Sequence, residues 1–158
     1  LKLKIYNMIT IEDLKKKQSE PSRLIGLDLG SKRIGVSICD EKQSIATPFK
    51  TIAKTNTNEL IVQLKEIISE YSIKGVIIGY PLNMDGSSGR STQSVNDVSN
   101  NIDLSMDIDV CLWDERLSTV GAFNLSSQLD INVSKREKKI DQNAAAFILQ
   151  GAIDFLNN

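Results

Sequence analysis

Asp28, Glu115 and Asp141 are the residues of this chain whose type and surroundings allow hydrolytic chemistry. Asp28 interrupts the apolar run Leu24-Ile25-Gly26-Leu27-Asp28-Leu29, Glu115 follows the apolar run Ile108–Trp113 after Asp114, and Asp141 begins the last apolar-patterned stretch. A carboxylate inside an apolar strand costs several kcal/mol unless something pairs with it or coordinates it. The sequence contains no His, which removes the Ser-His-Asp and Cys-His triads and the common zinc sites and leaves carboxylates, amides and Lys/Arg. Three convergent carboxylates without His make a hard-oxygen site suited to Mg²⁺ or Mn²⁺. Two such ions, roughly 4 Å apart, activate a water and stabilise the leaving oxygen of a phosphodiester. Each acid also has a plainer explanation. Asp28 can start a turn through its own side chain, Glu115 can pair with Arg116, and Asp141 can favour a helix amino terminus.

A phosphodiester substrate needs cations, and the net charge of −1, with an isoelectric point near 5.5, supplies no global positive field. Binding must then use a local patch. The candidate substrate contacts are Lys32 and Arg33 beside Asp28, Asn83 and Arg90 in a Gly/Ser-rich loop, and Arg116, Ser118 and Thr119 after Glu115. Lys135 and Arg136 complete the set, in the cluster Lys135-Arg136-Glu137-Lys138-Lys139. The plain alternative for that cluster is a solvated loop or helix face.

The elements that must position these groups follow from apolar periodicity. At 158 residues, 41% hydrophobic and 25% charged, the chain is expected to form one domain with a single sizeable core. Residues 1–22 are expected to be a peripheral extension and residues 23–158 the domain. No run reaches the roughly 20 apolar residues of a membrane helix, and no secretory pattern opens the chain, so a cytoplasmic location is expected. Cys39 and Cys111 sit in separate apolar runs and read as buried reduced thiols.

Thr10–Gln18 is a short amphipathic stretch ended by Pro21. Leu24–Asp40 is a β-hairpin turning at Gly30-Ser31-Lys32-Arg33. Ser44–Ile52 is a third strand that Pro48 demotes toward an edge or bulge. Asn58–Tyr71 has helical spacing at Leu60, Ile61, Leu64, Ile67 and Ile68, and Val76-Ile77-Ile78 is a buried strand stopped by Gly79-Tyr80-Pro81. Leu82–Thr92 reads as a loop and Gln93–Ile102 as a helix. Ile108–Trp113 is a strand whose charged carboxyl end is where open α/β sheets place ligands. Ser118 or Thr119 can cap a helix through Leu129, and Ile140–Leu156 is a final helix with Asp141 in its first turn. Strands first, then strands alternating with helices, predict an α/β fold with a mixed five-stranded sheet, the first three strands antiparallel and the last two parallel.

With those residues in view, the sequence resembles the YqgF/RuvX family of ribonuclease H-like proteins, assigned as Holliday junction resolvases and as nucleases maturing the precursor of 16S ribosomal RNA. The resemblance runs from Leu24 to about Leu156. Its marks are Gly26-Leu27-Asp28-Leu29-Gly30-Ser31-Lys32-Arg33-Ile34-Gly35-Val36, Gly79-Tyr80-Pro81-Leu82-Asn83-Met84-Asp85-Gly86, Trp113-Asp114-Glu115-Arg116-Leu117-Ser118-Thr119 and Asp141-Gln142-Asn143-Ala144-Ala145-Ala146. Tyr80 and Asn143 depart from the usual residues; the acids do not.

The resemblance implies a three-layer ribonuclease H-like fold, with the family's metal-binding acids falling on Asp28, Glu115 and Asp141. It also implies a Mg²⁺- or Mn²⁺-dependent nuclease processing the 5′ end of precursor 16S ribosomal RNA, with a Holliday junction resolvase acting on branched DNA as the alternative. A monomer or weak homodimer with a nucleic-acid partner and no membrane is expected. A non-catalytic nucleic-acid-binding or ribosome-assembly module is a further alternative. So is an actin-like ATPase, because Asp-Leu-Gly-Ser followed by a basic residue is similar to the first phosphate hairpin of those proteins.

Overall fold

The computed structural model describes the backbone of residues 8–81, 90–114 and 133–158, and the side chains of 8–81, 92–114 and 141–158. Strand β1 (Leu24–Leu29) pairs antiparallel with β2 (Arg33–Cys39), and β2 pairs antiparallel with β3 (Ala46–Ala53). Strand β4 (Gly75–Tyr80) joins β1 in parallel and β5 (Asp109–Asp114) joins β4 in parallel. The sheet therefore has the order β3-β2-β1-β4-β5, with the first strand central and the predicted strand directions met. Pro48 lies on edge strand β3, where the ladder shifts register between Val36 and Ser37, a place that tolerates a residue with no N–H to give.

Alternation along the strands sorts side chains into two faces. Ile25, Leu27, Ile34, Val36, Ile38, Val76, Ile78 and Val110 face one core, closed by Leu60, Ile61, Leu64 and Ile67 of helix α2 (Thr57–Glu70) and Val95, Val98 and Ile102 of helix α3 (Arg90–Ser105). Leu24, Cys39, Ile77 and Cys111 face the other, under Ile148, Leu149, Ala152, Ile153 and Leu156 of helix α4 (Val133–Asn157). Helix α2 starts where the Asn56 side chain accepts from the Glu59 amide at 2.8 Å, a standard way to satisfy an orphan donor. Residues 1–22, expected to be peripheral, are partly built in. Ile9 bridges Cys111, and Ile11 and Leu14 of helix α1 (Ile11–Lys17) are buried in the second core.

Two predicted boundaries are corrected. Helix α4 begins at Val133 rather than Ile140, so Asp141 lies well inside it, and Lys135–Lys139 belong to its first turns rather than to a loop. Lys, Arg and Glu are good helix formers, and nothing from Val133 to Gln150 is Gly or Pro, so the chain has no reason to wait for the apolar stripe. Helix α3 likewise begins at Arg90, directly after the last Gly of the expected loop, instead of at Gln93. The predicted helix from Ser118 or Thr119 through Leu129, and the loop residues 82–89, lie outside the described residues.

Candidate active site

The site is built where α4 presses onto the hairpin. Asp28 stands directly opposite Gly35 in the β1–β2 ladder, and alternation puts Asp28 on the face of Leu24 and Gly26, the face that α4 covers. A Cβ at Gly35 would lie 1.9 Å from the Asp141 carbonyl oxygen, and one at Gly26 would lie 2.7 Å from Leu149 Cβ and 2.9 Å from the Ala145 carbonyl oxygen. Only residues without a Cβ let the helix come this close. Between those contacts Ser37, fully buried, donates its hydroxyl to the Ala145 carbonyl at 2.8 Å. Residues 141, 145 and 149, one helical turn apart, therefore sit on a seam of Gly35, Ser37 and Gly26. That seam sets the height of α4 over the hairpin and brings the Asp141 backbone onto the ladder partner of Asp28.

Arg33, the first residue of β2, shares the α4-facing side with Gly35 and Ser37. Its Nε donates to Asp141 Oδ2 at 2.7 Å, the two side chains being 33% and 19% exposed. Next along the helix, Gln142 donates to the Thr51 hydroxyl at 3.2 Å, and Thr51 faces Gly35 from β3. Gln150 ties the same helix to the edge, accepting from the Ala46 amide at 2.8 Å and donating to the Ser44 carbonyl at 3.3 Å. From Asp141 to Gln150 the helix is fixed by contacts to β1, β2 and β3.

Of the expected site residues, the structure brings Asp28, Arg33 and Asp141 together at the edge where β1 and β4 end and β2 begins. Lys32 is exposed in the adjoining turn. Arg90 opens α3, and the backbone of Lys135 and Arg136 lies in α4 five to six residues before Asp141, about 8 Å along the axis. Asn83, Glu115, Arg116, Ser118 and Thr119 lie outside the described residues. β5 ends at Asp114, the residue before Glu115. Asp114 and Tyr80 alternate onto the α2/α3 face, where Asn96 of α3 donates to the Tyr80 hydroxyl at 3.1 Å. The sequence reading missed the seam of Gly26, Gly35 and Ser37 and the Gln142–Thr51 contact. A small residue at every second position of β2 beside a carboxylate was the available signal for the seam.

The donor set suits a hard cation. Among the described residues no group of three or more His, Cys, Asp or Glu side chains converges, but one or two carboxylates are what Mg²⁺ commonly takes from a protein, the remaining positions going to water and phosphate oxygen. Asp28 and Asp141 are two carboxylates carried by elements that meet at Gly35. The thiols do not compete: burial pushes Cys39 up and Cys111 up to about 12, so both stay protonated at neutral pH, and thiolate is the form that binds metal or attacks.

A mixed sheet with an acid on its central first strand, covered by a final helix that presents a second acid, defines a ribonuclease H-like fold. Two solved structures share it: T. thermophilus RuvC in complex with a Holliday junction substrate (TM-score 0.57, 8% identity, 87% of this chain and 97% of that one) and the yeast mitochondrial Holliday junction resolvase Ydc2 (TM-score 0.55, 13% identity, 93% and 84%). Residues 22–155 match the family described as "RuvX: Holliday junction resolvase". The chain belongs to this family of nucleases, called YqgF/RuvX above. A relative in Pelagibacter ubique (strain HTCC1062), named "Putative pre-16S rRNA nuclease", is 76% identical over 151 residues, 96% of this chain and all of that one. One of the same name in Chelativorans sp. (strain BNC1) is 41% identical over 150 residues, 95% of this chain and 94% of that one.

Proposed function

We propose that this chain is a metal-dependent nuclease that hydrolyses phosphodiester bonds at the 5′ end of precursor 16S ribosomal RNA. The observation that carries the reading is the seating of Asp141 on the ladder partner of Asp28, an arrangement the Gly35 backbone makes possible. The names of the relatives support the RNA substrate. Asp28, Asp141 and Glu115 would hold Mg²⁺ or Mn²⁺, which when bound supplies activated water and charge neutralisation at the phosphate. Asp28 does its part from a rigid central strand and Asp141 from a helix locked on the seam, so neither carboxylate has to be ordered at the moment of reaction. Lys32 and Arg33 at the hairpin turn offer cations to the phosphates on either side of the scissile bond, with Arg90, Arg116, Lys135 and Arg136 extending the track and Asn83, Ser118 and Thr119 adding polar contacts. This local field serves a molecule of net charge −1.

The test is cleavage of a 5′-labelled precursor RNA by wild type, Asp28→Asn and Asp141→Asn, with circular dichroism to confirm folding. Each amide variant should lose about 10²- to 10³-fold in rate, the scale of removing a principal charge-stabilising group. Wild-type rates in both folded variants would remove the site assignment.

Holliday junction resolution is the second reading, favoured by the description of the matched family. Resolution requires two active sites on a two-fold substrate, whereas trimming one RNA end needs one. Solution mass with and without a four-way junction, beside cleavage of both substrates, separates them: a dimer formed only on the junction favours the resolvase. The family match supports the nuclease over the actin-like ATPase, and metal-dependent turnover separates it from a silent binding module.

A further inference from the structure

We propose that Arg33 is a resident counter-ion for Asp141 that a divalent ion must displace to load the site. The proposal rests on the metal-site reading above and adds to it an order of events inside the site.

The pair is held by backbone on both sides. Arg33 lies two residues before Gly35 on the same face of β2, and Asp141 is the residue whose carbonyl would meet a Cβ at Gly35 at 1.9 Å. The Nε to Oδ2 contact at 2.7 Å thus joins two positions already fixed by packing, and little chain entropy is spent in forming it. A carboxylate on α4 brought this close to the strand bearing Asp28 needs positive charge nearby, since two unscreened like charges oppose each other. Arg33 supplies it from within the protein, which lets the α4 seam close before metal arrives.

Two features make the pair displaceable. The side chains keep 33% and 19% of their exposure, so water screens the attraction, and a part-exposed pair changes an equilibrium by only about two- to fivefold. A divalent ion brings twice the charge and binds carboxylate oxygen directly. The metal-free protein therefore resists loading by the amount the pair is worth.

Calorimetric titration of Mn²⁺ into wild type, Arg33→Gln and Arg33→Lys tests this, with thermal melts in chelator and in saturating Mn²⁺. Arg33→Gln should bind Mn²⁺ about two- to fivefold more tightly than wild type and melt lower in chelator, with the deficit shrinking as Mn²⁺ saturates. Arg33→Lys, which keeps charge without the Nε contact, should fall between. A folded Arg33→Gln that binds Mn²⁺ equally or more weakly overturns the counter-ion role while leaving the metal site standing. If Arg33→Gln does not fold, Arg33→Lys decides, and unchanged or weaker affinity overturns the proposal. Wild type that shows no Mn²⁺ binding removes the metal-site reading itself, and the counter-ion with it.

Discussion

At the edge of the sheet where β1 and β4 end, Arg33 and Asp141 pair at 2.7 Å with side chains 33% and 19% exposed; at the opposite edge Lys17 and Asp109 pair at the same 2.7 Å with side chains 64% and 26% exposed. The opposite edge also has two clefts among the described residues, of about 470 and 480 Å³, the first lined by Lys17, Lys74, Asp103, Asp107 and Asp109 among others. The two edges differ in what holds the pair in place. Around Asp141 the helix touches strand backbone through Gly35 and Gly26, whereas Asp109 is met by a lysine reaching from α1. A site that must hold two carboxylates within a few tenths of an ångström needs the first kind of support. The second kind makes a wet surface pair of the sort worth about 1 kcal/mol or less.

Adding one methyl group at each edge tests the contrast most strongly. Gly35→Ala puts a Cβ on the Asp141 carbonyl, and only movement of α4 or β2 can relieve the clash. It should cost at least about 3 kcal/mol in urea unfolding and weaken Mn²⁺ binding together with activity. Gly75→Ala, at the start of β4, places its Cβ 2.8 Å from Leu24 Cδ2, the end of a side chain that can turn away. It should stay within about 1 kcal/mol of wild type and leave Mn²⁺ affinity unchanged. Similar costs for the two would erase the distinction between the edges.

Removing one cation gives a smaller effect. Lys17→Ala should lower stability by less than about 1 kcal/mol, and by less still in high salt, because both partners are solvated. Its Mn²⁺ affinity should equal that of wild type, unlike that of Arg33→Gln. A shift in metal affinity from Lys17→Ala would mean that the Arg33 effect reflects general field and not contact.

The same contrast explains what was legible in the sequence. Strand positions and directions followed from apolar runs and Pro48, since burial on one or both faces leaves a period that can be counted. Asp28 was visible as a charge in an apolar strand. The start of α4 was not, because the predicted helix was tied to its apolar stripe, while the backbone of Lys135–Lys139 is helical in a stretch whose residue types favour helix without such a stripe. Asp141 was singled out for a first-turn position it does not occupy; what matters is its place on Gly35, a contact across 106 residues that no local pattern encodes. Arg33 was read as a substrate contact, and the sequence had no means of showing that it pairs with one of the acids. The segments carrying Asn83 and Glu115 lie outside the described residues, so those positions still rest on the sequence.

The smallest predicted effect concerns a carboxylate at the far edge that backbone alone organises. Asp40, in the turn between β2 and β3, accepts from the amides of Ser44 at 2.7 Å and Ile45 at 2.9 Å. These amide donors, Ile45 first, hold its carboxyl below the ordinary value of 3.8. A depressed folded value means the ionised form is favoured by folding, so the stabilisation is present above pH 3.8 and fades as pH falls through the folded value. Asp40→Ala should therefore unfold at lower urea than wild type at neutral pH, the difference shrinking progressively once pH drops below 3.8. A difference that stays constant across that window would assign the loss to the shape of the turn instead of its charge. Asp40 is half-buried in a turn whose Glu41, Lys42, Ser44 and Ile45 are exposed, so this contribution is a local one: it fastens β3 to β2 at the edge opposite the acids, and Mn²⁺ affinity should not register it.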